Sequence, residues 1–374
     1  MDFVNDYYCF IFVDKFRHTS IFLRRKWCII VKSLLKFPIS VIASAALLWP
    51  QASFARSDSG SSSAYNFLDI PSSSHIYGLG SVNISTVDDD INGIIQNPAL
   101  LGPEFDLQAG FNYMRYIADA DFTGAIVGGR AGLHSGWAAR IQYYGYGKMT
   151  EMDEFGNTTG SFSPKDISIG GIYSHDITER LRGGIAINVI YSGYHEYSAL
   201  ALATDLGINY YDPDTDLSLS AVVANLGGQI KRFNETYDRL PIDIRLGWTK
   251  SFGSFPVRFS ATAWGLTEWH LPYFDKADGS ADSELVRKES FGSNLLRHLI
   301  FAADFVPGDR FHAGIGYNHR VRTDMASYSR DLLSGFSFCA GLKVKSFSVG
   351  AAFARPHSGA STFMLNLSTN ISDL

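Results

Sequence analysis

Chemistry in this chain would have to come from a few polar groupings, and each falls short of a catalytic pattern. His195 is followed by Glu196, the opening of a zinc-protease helix, but no second histidine stands at the required spacing. The pair reads as a solvated loop at a strand end. Ser33-Leu34-Leu35-Lys36 has the spacing of an acylating serine and its lysine, yet it lies in the N-terminal leader and no Lys-Thr-Gly follows. No Gly-x-Ser-x-Gly occurs. Gly78-Leu79-Gly80 lacks the third glycine and the following helix of a dinucleotide loop. Asp88-Asp89-Asp90 offers oxygen ligands for Ca²⁺, but consecutive side chains converge poorly on one ion. The run is better read as capping a short helix that starts at Ile91 and stops at Asn97-Pro98. No catalytic, cofactor or metal residue is assigned, and the chain is read as non-enzymatic.

The elements that must carry these groups are strands. From about residue 105 to 374 the hydrophobic pattern has period two, with no helical stripe longer than two turns. Ile185, Ile187 and Val189 alternate with Gly184, Ala186 and Asn188. Ile244, Leu246 and Trp248 alternate with Asp243, Arg245 and Gly247. Fourteen such segments can be counted. Short turns such as Asp212-Pro213-Asp214 are interleaved with long polar stretches at 147–165, 227–240 and 270–296. The second face of the strands is rich in Gly, Ala, Ser, Asn and Thr rather than Lys and Glu. That face suits a lumen, and the pattern predicts an all-β fold, a transmembrane outer-membrane barrel of about 14 antiparallel strands. Tyr143, Tyr144, Tyr146, Tyr210, Tyr211, Trp264 and Trp269 fall near segment ends, as interfacial aromatics do. Arg297-His298 and His319-Arg320 would then form a polar cluster at one rim or in the lumen, contacting a plug or loop, or simply balanced by Asp304 or Asp243.

Composition agrees. Aromatics make up 14% and charged residues 18% of the 374 residues, with 35 glycines. Disordered chains are aromatic-poor and charge-rich. A net charge of -5 argues against a nucleic-acid partner.

Residues 1–55 read as an export signal: a basic region, the apolar run Phe37 to Trp49, and Ser53-Phe54-Ala55 as the small-residue site, with cleavage between Ala55 and Arg56. The basic region is long for such a leader, and an upstream start codon would account for residues 1 to about 20. Cys9 and Cys28 fall in the removed part, which leaves Cys339 and no internal disulfide. Residues 56–64 are Ser/Gly-rich and read as a flexible N-terminus; residues 65–104 read as a hatch folded back into the lumen, ahead of a barrel over 105–374.

Several stretches carry a family resemblance. They are Asp88-Asp89-Asp90 with Asn97-Pro98-Ala99-Leu100-Leu101, Tyr144-Gly145-Tyr146-Gly147-Lys148, Asn225-Leu226-Gly227-Gly228-Gln229, Arg297-His298 and Gly316-Tyr317-Asn318-His319-Arg320. In this ordered set the chain resembles the PorV/PorQ family of type IX secretion outer-membrane proteins of Bacteroidetes, nearer its PorQ branch. That family is similar in fold to the FadL fatty-acid transporters. The resemblance implies a fourteen-stranded barrel with an N-terminal hatch. It also implies a place in a surface attachment complex, beside PorZ-like, PorU-like and PorV-like partners, that joins secreted cargo to lipopolysaccharide. The partner would be held by the long loops, with Met149, Met152, Phe155, Trp269, Tyr273 and Phe274 as candidate contacts. The other functions left open are transport of small hydrophobic molecules and, less well supported, a barrel enzyme without a recognisable motif.

Overall fold

Alternation of apolar and small residues drives residues 108–370 into one closed sheet, seen in the computed structural model. The structure describes residues 65–373, except 235–236, 253–254, 272, 277–284, 289, 309, 325–332 and 358–359. The expected leader, its cleavage site at Ala55 and Arg56, and the segment 56–64 lie outside the described residues.

The barrel has fourteen antiparallel strands. In chain order they are β1 (Gln108–Arg115), β2 (Asp121–Arg130), β3 (Ser135–Gly145), β6 (Lys165–Thr178), β7 (Leu181–Tyr194), β8 (Tyr197–Asp212) and β9 (Leu217–Lys231). They continue as β10 (Asp243–Phe252), β11 (Phe255–Ala263), β14 (Leu299–Gly308), β15 (Phe311–Asn318), β16 (Phe336–Val344), β17 (Phe347–His357) and β18 (Ala360–Asn370). β1 pairs with β18 from Gln108↔Asn370 to Arg115↔Phe363, which closes the cylinder and leaves no free edge. Two small hairpins stand apart from the wall: β4 (Met149–Met152) with β5 (Thr158–Phe162), and β12 (Tyr273–Lys276) with β13 (Leu285–Lys288).

Following the chain around the barrel separates the connections by end, with the short links 116–120 and 195–196 falling on the same end as the long ones. One end carries the tight turns 131–134, 179–180, 213–216 and 345–346. The other carries the long connections 146–164, 232–242, 264–298 and 319–335. The expected loops are therefore shifted. Gly227 to Lys231 remain strand, because β9 runs on beside β8, and the connection at 319–335 was not anticipated. The extra length of β9 is accommodated by a bulge. Thr204↔Leu226 is followed by Leu206↔Val223, so Ala224 and Asn225 together oppose Asp205. Asn225 takes φ 57° there, a conformation asparagine tolerates, and its N–H donates to Asp205 at 2.7 Å.

The outer face is apolar. Ile187, Val189, Leu246, Trp248, Phe259, Phe301 and Phe305 all point outward with large exposed area. The inner face packs on residues 65–105, and this is where the core lies. Inward Ile126, Ala138, Ile172 and Ala186 meet Ile91, Ile94 and Leu101 of the hatch and Phe105 just after it. Each fully buried aliphatic side chain of this kind contributes about 1.5–3 kcal/mol. Not all expected girdle aromatics lie on the outer face. Tyr143 does, but Tyr144 and Tyr146 turn into the lumen, because the alternation places 144 inward and the chain leaves the wall after 145. Trp264 and Trp269 belong to the 264–298 connection rather than to the barrel wall.

Candidate functional site

The functional centre of a barrel is its lumen, and here the hatch fills it by backbone-to-wall contact. Asn97 is fully buried. Its side chain caps the turn Pro98–Leu100 by accepting from Ala99 N at 2.9 Å, and its amide donates to Ile84 O at 2.7 Å. The Asn97–Pro98–Ala99 peptide lies directly on Gly184 of β7 and Gly207 of β8, which are register partners. A methyl group on Gly184 would overlap the Pro98 carbonyl, and one on Gly207 would overlap Asn97 Oδ1. The second seat has the same design: a methyl on Gly316 of β15 would overlap Gly80 N, where the chain leaves helix α1 (Ser74–Gly78). Glycine is needed at these positions so that two backbones can touch.

The three aspartates of the acidic run separate rather than converge. Asp90 caps the turn Ile91–Gln96 through Asn92 N at 3.1 Å. Asp89 pairs with Lys343 of the wall at 2.7 Å. Asp88 pairs with His75 Nδ1, whose Nε2 in turn lies 2.9 Å from Asp304 of β14. Arg258 of β11 completes the group, 2.6 Å from Asp304 and 3.0 Å from Val87 O. The His75 ring also stacks on His312, with centroids 4.1 Å apart. Burial alone would push the His75 pKa down, but the two flanking carboxylates outweigh it and hold the value up at about 9. Burial would likewise raise Asp88, and the imidazolium beside it drives it well below the ordinary carboxylate range. A polar cavity of about 210 Å³ opens beside this cluster at the short-turn end, lined by His75, Asp88, Asp89, Arg258, His312 and Lys343. At the opposite end Asp69 is 2.6 Å from Arg245, itself 2.7 Å from Asp243.

Beneath the long loops the lumen is aromatic. Phe67 lies 4.9 Å from Tyr144, Phe122 lies 5.1 Å from Tyr144, and Tyr146 stacks on Tyr194 at 6.2 Å. Tyr65 closes the group, bonded to Gln229 at 2.8 Å.

The loop candidates divide. Met149, Met152 and Phe155 lie on or at the turn of the β4–β5 hairpin, and Phe155 is 88% exposed. Phe274 is also exposed. Trp269 instead stacks on His298 at 5.1 Å, and Tyr273 lies under the Arg297 guanidinium at 5.1 Å, so both serve the loop's own packing. Arg297, His298, His319 and Arg320 do not form a luminal cluster. They sit on the long-loop rim, in and beside helices α2 (Phe291–Arg297) and α3 (His319–Asp324). Arg297 pairs with Asp324 at 2.6 Å, His298 Nδ1 is 2.8 Å from Trp264 O, His319 meets Tyr317 at 2.9 Å, and Arg320 covers the Trp264 ring. Neither Asp304 nor Asp243 balances them, since both carboxylates serve His75, Arg258 and Arg245. His195 sits in the β7–β8 turn, 3.5 Å from Glu151 of the hairpin.

Sequence reasoning missed His75 and Arg258, which carry no motif, and it missed the aromatic chamber. The inward glycines were the available signal: a glycine in the inward register of a strand marks where another backbone comes close. Among the described residues no group of three His, Cys, Asp or Glu side chains is arranged to hold a metal ion.

No protein-family model matches the sequence, and no curated protein matches it. Solved structures similar to it include the Ralstonia pickettii toluene transporter TbuX, at 10% identity and TM-score 0.47, covering 80% of this chain and 96% of that one. A Pseudomonas aeruginosa FadL homologue is similar at 12% identity and TM-score 0.46, covering 80% of this chain and 98% of that one. The CymD monoaromatic hydrocarbon channel is similar at 13% identity and TM-score 0.43, covering 82% and 97%. These identities are far below those at which function carries over.

Proposed function

We propose that this chain is an integral outer-membrane barrel whose hatch-closed lumen is a gated passage for small hydrophobic molecules. The observation that carries the reading is the aromatic chamber under the long loops. Phe122, Tyr144, Tyr146 and Tyr194 line it, and the hatch's own Tyr65 and Phe67 occupy it. A ligand of similar character would bind by replacing those two side chains. Membrane placement is supported by the uncharged outer belt, since a Lys or Arg at midplane costs about 2–4 kcal/mol. A closed barrel leaves no unpaired edge in hydrocarbon, and the export signal expected over 1–55 suits the outer membrane. The test is uptake of a labelled monoaromatic or fatty acid into proteoliposomes. Uptake that exceeds empty vesicles and saturates supports the reading; uptake equal to empty vesicles removes it.

A second reading has its own observation. The β4–β5 hairpin forms its own two-stranded sheet with Met152 61% and Phe155 88% exposed. Apolar side chains presented this way serve as interface anchors. Together with the PorV/PorQ resemblance, this supports an anchor for a PorZ-like surface protein in a PorU/PorV-like attachment complex at the lipopolysaccharide surface. Affinity isolation from native outer membrane, with identification of the proteins that accompany the barrel, separates the two. Neither reading gives the chain a catalytic step.

A further inference from the structure

Asp166 begins the inward face of β6 near the long-loop end, and its side chain is fully buried. One carboxylate oxygen, Oδ2, accepts hydrogen bonds from Tyr146 Oη at 2.5 Å and Tyr194 Oη at 2.8 Å. The Ser192 hydroxyl also interacts with the carboxylate, but Oδ1 meets no donor in full hydrogen-bond geometry. Two neighbouring oxygens, Ser168 Oγ and Ser192 Oγ, likewise make no hydrogen bond of full geometry. Ser168 is the next inward residue of β6, and Ser192 is the register partner of Asp166 on β7. Both serines are buried to 1% exposure or less.

Three oxygens therefore share one patch of inner wall, and each keeps a lone pair to spare even with the Ser192 hydroxyl turned to the carboxylate. No Lys, Arg or His among the described residues forms an ion pair with Asp166. The buried guanidinium on the neighbouring strand, Arg140, is bound to Asn188 and Gln142 instead. A buried carboxylate without counter-charge is costly, and a cluster of unsatisfied buried oxygens calls for an ion or a proton. Every open atom here is a hard oxygen, the ligand type of alkali and alkaline-earth cations. A single carboxylate balances one positive charge, whereas divalent sites draw on several. The stacked rings of Tyr146 and Tyr194, with Phe233 edge-on to Tyr194 at 5.2 Å, cover the patch.

We propose that Asp166, Ser168 and Ser192 form a binding site for a monovalent inorganic cation, Na⁺ or K⁺, in the wall beneath the β4–β5 hairpin. The position gives it a structural consequence. Tyr146, which bonds to Asp166, also closes the root of the hairpin connection through its N–H to Pro164 O at 3.2 Å. A cation there fixes that root to the barrel.

The test is thermal unfolding of the whole mature protein in detergent, in NaCl, KCl and choline chloride at equal concentration. The expected result is a melting temperature about 2 °C or more higher in one alkali salt than in choline chloride. Asp166→Asn should abolish that difference. Ser168→Ala, which keeps the carboxylate, should reduce it and serves as the second variant if Asp166→Asn does not fold. Equal melting in all three salts, or an alkali effect unchanged in both variants, overturns the site. A carboxylic-acid band in the infrared spectrum that disappears in Asp166→Asn would also overturn it, by showing that Asp166 carries its own proton.

Discussion

Gly184 and Gly207 face one another across β7 and β8, and the Asn97–Pro98 peptide rests on both. The lumen is closed there by backbone against backbone, so side-chain volume at either glycine decides whether the hatch can seat.

Gly184→Ala should displace the hatch. Overpacking of this kind costs about 1–3 kcal/mol, and the overlapped atom is a backbone carbonyl that cannot swing away. Limited proteolysis should cut within 65–104 faster than in the parent protein. Gly171→Ala, on the outer face with open space around it, should leave the cleavage rate unchanged.

Removing the imidazole of His75 leaves Asp88 and Asp304 with reduced compensation in a buried site. His75→Ala should destabilise hatch docking by about 3–5 kcal/mol, the usual cost of breaking a buried pair. The measurement is the denaturant midpoint for hatch release, followed by a fluorophore placed at position 89. A midpoint equal to the parent's would deny that His75 helps hold the hatch.

The same cluster sets a pH dependence. The His75 pKa is raised to about 9 in the folded protein, so its contribution is full below the unfolded value and is lost as pH rises through about 9. Asp88 is depressed, so its contribution is present above the ordinary carboxylate pKa and is lost as pH falls through its folded value. Hatch release, read by the same fluorophore, should therefore increase between neutral pH and about pH 10. His75→Ala should flatten that alkaline limb.

On the outer face, Leu246→Lys should impair folding into lipid vesicles by about 2–4 kcal/mol if that belt meets hydrocarbon. Phe155→Asp, at the exposed hairpin turn, should change stability by no more than about 0.5 kcal/mol. The two folding equilibria, compared in one lipid, check the assignment of outer belt and loop.

Much of the barrel was legible in the sequence because a period of two is a local property. The alternation of Ile244, Leu246 and Trp248 with Asp243, Arg245 and Gly247 is the outward and inward order seen in β10. The helix-capping role of Asp90 and the stop at Asn97-Pro98 were legible for the same reason, since caps act within a turn. The site was not. His75 meets Asp304 across 229 positions of chain, and no local spacing encodes such a contact. Tyr144 and Tyr146 read as girdle residues because an aromatic at a strand end suits either face, and only the register decides which. For the four basic residues at 297–298 and 319–320 the sequence left rim and lumen both open, because the helices that hold them at the rim are too short to leave a periodic signal.

Conductance across a planar lipid bilayer tests the central claim most directly. The mature protein should insert and remain essentially closed, and the same barrel lacking residues 65–104 should show a large, steady, ohmic conductance. A protein that never inserts, or an intact form that conducts as freely as the hatchless one, would contradict a membrane barrel closed by its own N-terminal segment.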